Sequence, residues 1–241
     1  MDEKILIEEF LKYRDFCKFT ITDEQLHQFY LFYSYLVEKN KVMNLTAITE
    51  LEEVVLKHFI DSLSILNYIS LSEVNNVIDI GTGAGFPGIP LAIMLPEIQF
   101  SLVDSLNKRI GFINDVCKIC NINNINTYHG RAEDFGHKEM FREKFDLCVS
   151  RAVANLSTLC EYCVPFIKVG GKFISYKSEM AEEEIAQAKN AFKELDISLC
   201  DNFVFNLPDT NIQRNLLCMN KNNVTKKKYP RSAGKPSKKP L

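Results

Sequence analysis

The chain has 241 residues, of which 46% are hydrophobic and 25% charged, an ordinary composition for a globular protein that builds a core without disulfides or metals. No apolar run approaches the roughly 20 residues that span a bilayer, and the acidic start MDEKILIEEF lacks the basic region of a signal peptide, so a cytoplasmic location and eight reduced cysteines are expected. The net charge of −2 conceals a division: the last 21 residues hold eight of the 29 Lys and Arg and no acid, which leaves −10 on the body and +8 on the tail.

The first third reads as helical. ILIEEFLKYRDFCKF repeats its apolar residues at helical spacing. Thr22 opens a capping-box pattern, TDEQ, before LHQFYLFYSYLVEK, a second helix expected to break at Asn40. Phe29, Tyr30, Phe32, Tyr33 and Tyr35 could stack on nucleobases, but their helical period assigns them to core packing. A third helical segment runs from about Leu51 to Leu66.

From Asn76 the period changes. Strand-like runs VIDI (77–80), QFSLVD (99–104), INTYHG (125–130), FDLCVS (145–150) and GKFISY (171–176) alternate with helical stretches, among them EEEIAQAKNAFKEL. ISLCDNFVFNL and NIQRNLLCMN then have the length and spacing of an antiparallel pair. This succession predicts an α/β fold, a mostly parallel sheet with helices on both faces. The expected division is a helical region over 1–66, a sheet domain over 67–220 and an irregular, Pro- and Lys-rich tail over 221–241. CKIC (117–120) and CEYC (160–163) have metal-ligand spacing, yet positions i and i+3 share one helix face, where Cys acts as a small hydrophobe; no metal site is expected.

VIDIGTGAGFPG (77–88) places four of the chain's ten glycines after a strand. At the carboxyl end of a parallel strand, such a turn lets a ligand approach bare backbone. Gly81 and Gly83 are therefore candidate cofactor contacts. GAGFPG also satisfies the dinucleotide fingerprint GxGxxG, so NAD and S-adenosylmethionine both qualify. Asp104 ends the second strand, where an acid accepts hydrogen bonds from ribose hydroxyls in either cofactor. Asp79 separates the two: a carboxylate at the strand end repels a diphosphate and attracts the ammonium of S-adenosylmethionine. Ala132 and Glu133 follow strand three, where backbone amides can flank an adenine ring. Arg151 follows strand four, where a methyl acceptor must arrive. His58, Asp61 and Ser62 resemble a hydrolase set in composition, but one helical turn is expected to point them outward in parallel, unlike a triad.

DIGTGAGFPGIPLAI (79–93), VDSLNKRIGFI (103–113), GRAEDF (130–135), SRAVANL (150–156) and YPRSAGKPSKKPL (229–241) resemble the RsmG/GidB family, as do KVMNLTAIT and HFIDSL. The likeness runs from about residue 40 to the last leucine. It implies a class I S-adenosylmethionine-dependent methyltransferase: a Rossmann-like, mostly parallel seven-stranded sheet with a final antiparallel strand and an N-terminal helical extension. The family methylates N7 of guanine 527 in 16S ribosomal RNA of the small ribosomal subunit. By motif, the resemblance implies cofactor contacts at Gly81, Phe86, Ala132, Glu133 and Arg151, with Phe86 as an apolar wall. The basic tail, with Arg231 and Lys235, is the expected RNA contact; neither a membrane nor a protein partner is implied.

Guanine N7 carries a lone pair and no proton, so no catalytic base is expected. Alignment of the reactants, worth up to roughly 7–11 kcal/mol, would be the protein's main contribution. An NAD-dependent oxidoreductase and a non-catalytic RNA-binding assembly factor remain as alternatives.

Overall fold

A computed structural model describes residues 2–241. The N-terminal helices form for local reasons first. Asp2 caps α1 (Glu3–Lys12) by accepting from the Lys4 N–H. Thr22 and Gln25 complete the reciprocal capping box that opens α2 (Asp23–Met43). This helix does not break at Asn40. The Asn40 Oδ1 accepts from the N–H groups of Leu45 and Thr46, and its amide donates to the Thr46 carbonyl. The side chain thus folds the following loop back, while Asn44, at φ 49°, ends the helix. Phe29, Phe32 and Leu36 lie on one face and are fully buried. The third helical segment is composite: α3 (Leu51–Val54), a π-helical turn (Val55–Ile60), α4 (Asp61–Leu63) and a 3₁₀ turn (Ser64–Asn67).

The sheet has seven strands in the order β3-β2-β1-β4-β5-β7-β6. They are β1 (Asn76–Ile80), β2 (Gln99–Asp104), β3 (Ile125–His129), β4 (Phe145–Arg151), β5 (Ile167–Lys177), β6 (Ile197–Asn206) and β7 (Gln213–Lys221). Neighbours from β3 to β5 pair in parallel, and β7 inserts antiparallel between β5 and β6. The connections are α5 (Gly88–Met94), α6 (Asn107–Ile119), α7 (Ala132–Phe135), α8 (Leu156–Cys163), α9 (Ala181–Gln187) and α10 (Lys189–Leu195). The last two divide at Ala188 what the periodicity presents as one helix.

Strand alternation sorts the core into two layers. Val77 joins the layer of α1, α2, α5 and α6, whereas Ile78 and Ile80 join that of α8 and α10. The helical segments before β1 therefore share one core with the sheet: Leu6, Phe29 and Phe59 belong to the same cluster as Leu102 and Val149. The CxxC pairs fall in opposite layers, Cys120 in the first and Cys160 with Cys163 in the second, packed as small hydrophobes.

The tail is irregular over most of its length, as expected, but it is packed. It runs back over α8 and ends in a short helix, α11 (Lys235–Lys238), with Tyr229 and Pro236 buried. Composition misleads here because some of the cations are interior. Lys221 is fully buried and donates to Glu143 and the Ile167 carbonyl, each at 2.6 Å. Among the described residues, no helix is long and apolar enough to cross a membrane.

Candidate active site

Strand order reverses between β1 and β4, and the crevice at that point opens at the carboxyl ends of β1, β2 and β4. It encloses about 450 Å³. Gly81, Gly83, Phe86, Asp104, Ala132, Glu133 and Arg151 all line it.

The glycine turn has close neighbours on two sides. Gly81 sits at φ 72°, and a Cβ there would lie 2.5 Å from the Val153 Cγ2. A Cβ on Gly88 would meet the Asp79 carboxylate at 2.8 Å. All the turn's N–H groups except that of Ala84 are engaged within the protein. Those of Gly81 and Thr82 donate to the Val103 carbonyl, and those of Gly85 and Phe86 to the Thr82 carbonyl. Gly83 N–H donates to Asp104 at 2.9 Å, and Gly88 N–H to Asp79 at 3.0 Å. A phosphate cradle needs free N–H groups at the turn and the helix start; here these donors have internal partners.

Asp79 therefore acts differently from the sequence-based expectation. It does not line the crevice; it is fully buried beneath the turn, where burial pushes its carboxyl up to about 7. Its role is to hold the first amide of α5, the place a diphosphate would take in a dinucleotide-binding fold. Its Oδ1 and the Thr82 hydroxyl have no hydrogen-bond partner among the described residues.

Asp104 is aimed by its own backbone surroundings. Its two oxygens accept from the N–H groups of Gly83 and Leu106, and Arg109 reaches it at 3.3 Å. Oδ1 accepts only the Leu106 N–H among these bonds, which leaves it a lone pair for a further donor. Arg109 is a third exposed, so its contact is displaceable.

Opposite this acid lies a charged cluster that the sequence alone did not reveal. Arg151 donates to Asp61 at 3.1 Å and to the Lys57 carbonyl at 3.3 Å, and lies over the Phe86 ring. Arg214 donates to the second oxygen of Asp61 at 3.1 Å. Asp61 and Ser62 are buried rather than outward, because the π-helical turn before them directs Asp61 toward β4 and β7. His58 stacks on Phe86 at 4.5 Å between ring centroids. Its Nε2 meets the Thr46 hydroxyl at 2.8 Å and its Nδ1 faces Arg151 at 3.4 Å. Burial, then the neighbouring guanidinium, pushes this imidazole down to about 3, so it is neutral near pH 7.

Glu133 is buried and accepts the Gly234 N–H at 2.9 Å, which brings the tail to the crevice. Gly234 and Ser237 line it together with Tyr162, Leu45, Thr46 and His58. None of these has a sequence signal as a site residue beyond the motifs KVMNLTAIT, HFIDSL and YPRSAGKPSKKPL. The two expected RNA contacts separate. Lys235 is exposed, whereas Arg231 is held on Glu161 by its Nε at 2.8 Å and its Nη2 at 2.5 Å. Arg231 is thus paired within the protein.

Comparison with known proteins agrees with this architecture. A Klebsiella pneumoniae protein described as a putative O-methyltransferase superposes with a TM-score of 0.55 at 14% identity, covering 80% of this chain and 90% of its own. A SAM-dependent methyltransferase from Aquifex aeolicus gives 0.52 at 15% identity, covering 69% and 92%. These likenesses establish the fold, a class I methyltransferase architecture. A ribosomal RNA small subunit methyltransferase G from Lachnoclostridium phytofermentans is 49% identical over 221 residues, 92% of this chain and 91% of that protein. The family model described as "rRNA small subunit methyltransferase G" (GidB) matches residues 25–222. The chain belongs to the rRNA small subunit methyltransferase G family.

Proposed function

We propose that this protein transfers a methyl group from S-adenosylmethionine to N7 of guanine 527 in 16S ribosomal RNA of the small ribosomal subunit. The observation that carries the choice of cofactor is the engaged glycine turn beside Asp104. The turn offers close backbone approach while all but one of its N–H groups are occupied, which suits a cofactor without phosphate, and Asp104 keeps acceptor capacity for ribose hydroxyls. An NAD-dependent oxidoreductase lacks that support. When bound, S-adenosylmethionine supplies an electrophilic methyl group on a sulfonium.

The residues of the chain bind and orient. Gly81, Gly83 and Asp104 form one side of the crevice, Ala132 and Glu133 the adenine-facing side, and Phe86 an apolar wall. Phe86 is fixed from behind by Phe32, 5.3 Å away between centroids, so the N-terminal helices set its position. Arg151 stands at the mouth with its charge balanced by Asp61, available to the polar edge of a base without an unpaired buried cation. N7 attacks through its own lone pair, so no proton need move. The state of His58 agrees: a neutral imidazole with both nitrogens engaged orients Arg151 and Thr46 and is not set up to shuttle protons.

Nucleoside mass spectrometry of 16S ribosomal RNA, from cells with and without this protein, tests the proposal. The expected result is loss of one 7-methylguanosine, mapped to position 527, and its restoration by purified protein and S-adenosylmethionine. An unchanged 7-methylguanosine count contradicts the assignment and favours a non-catalytic assembly factor.

A further inference from the structure

The last 13 residues are held against the body by groups too well buried for a mere solubilising tail. Glu161, on α8, is 0% exposed and accepts three donors from Arg231: the backbone N–H at 2.7 Å, Nε at 2.8 Å and Nη2 at 2.5 Å. A bidentate fork on a buried carboxylate fixes direction as well as distance. Upstream, Arg142 donates to the carbonyls of Tyr229 and Thr225, each at 2.8 Å, and His137 meets the Pro230 carbonyl at 2.7 Å. Downstream, the Thr158 hydroxyl donates to the Pro236 carbonyl at 3.2 Å. Between these pins, at φ 77°, Gly234 donates its N–H to Glu133 at 2.9 Å. The result is that Gly234 and Ser237 complete the crevice wall on which Ala132 and Glu133 lie.

We infer that the C-terminal strap is part of the cofactor site, and that Glu161 and Arg231 are positioning residues for it: their ion pair seats Gly234 and Ser237 against the crevice, so cofactor affinity depends on strap docking. This rests on the cofactor reading above. The strap also carries Lys235, Lys238 and Lys239, all exposed, on the segment that walls the crevice. A strap seated by cofactor holds these cations in a fixed place for RNA phosphates, which couples the two ligands. By linkage, cofactor must stabilise the seated strap as much as the seated strap favours cofactor.

Two measurements on the full chain test the inference, with S-adenosylhomocysteine as the probe. In calorimetric titration, Arg231→Ala is expected to weaken binding at least tenfold, and Arg231→Lys, which keeps the charge but loses the fork, to fall between. A dissociation constant within twofold of wild type, in a variant whose strap is cut faster by trypsin, would overturn the inference. On the unaltered protein, the probe is expected to slow tryptic cleavage after Arg231 and Lys238, the strap cations not followed by proline; cleavage at an unchanged rate with the site saturated would also overturn it, and this arm stands even where Arg231→Ala fails to fold. If the wild type itself does not bind the probe, the cofactor reading fails. If wild type and Arg231→Ala bind it equally, only the role of the strap does.

Discussion

Asp61→Ala is expected to lower the unfolding free energy by about 3–5 kcal/mol, the usual consequence of removing one member of a buried ion pair. Asp61 is 3% exposed and bridges Arg151 and Arg214 with its two oxygens, each at 3.1 Å. Its loss leaves two guanidiniums, 12% and 21% exposed, side by side without a counter-charge. The damage is not confined to stability, because Arg151 stands over Phe86 only while Asp61 and the Lys57 carbonyl hold it. Urea denaturation reads the first effect and methyl transfer the second. Asp61→Asn, which keeps the shape and an acceptor, should recover part of the stability but little of the charge balance. A stability change below about 1 kcal/mol for Asp61→Ala would show that water screens the two arginines well enough alone.

Asp104→Ala is the second large effect, and it falls on binding. Two hydrogen bonds from ribose hydroxyls to a carboxylate, at about 1.5–3 kcal/mol each for charged acceptors, predict a loss of S-adenosylhomocysteine affinity of at least about a hundredfold. Stability should fall by much less, because the freed Gly83 N–H is half-buried at the crevice edge and water can reach it, and the Leu106 N–H lies at a turn. Titration calorimetry at matched folded fraction separates the two. An affinity loss smaller than about fivefold would mean that the cofactor does not touch this acid.

Strands, glycine turn and crevice were legible in the sequence because they follow local rules. β1 and β2 stop where VIDI and QFSLVD stop, and Asp104 falls at the end of its strand because the acid terminates an apolar run. The capping box at Thr22 is similarly local. What stayed hidden is tertiary. Asp79 looks like a ligand from its spacing, but only the fold shows that its carboxylate points under the turn to the start of α5. HFIDSL reads as a regular helix whose polar residues project outward; the π-helical turn, which periodicity does not encode, redirects them. The packing of the tail stayed hidden for the same reason. Its lysines suggest a solvated segment, whereas Tyr229, Pro236 and the partner of Arg231, 70 residues earlier in the chain, decide its course. Charge counts do not reveal which cations are paired.

The most direct test of the account is a calorimetric titration of the wild-type protein with S-adenosylhomocysteine and, separately, with NADH. A glycine turn whose amides are all but one engaged, with Asp79 holding the start of α5, predicts saturable binding of the first and none of the second. Saturable binding of NADH at the crevice, with S-adenosylhomocysteine unable to displace it, would contradict it.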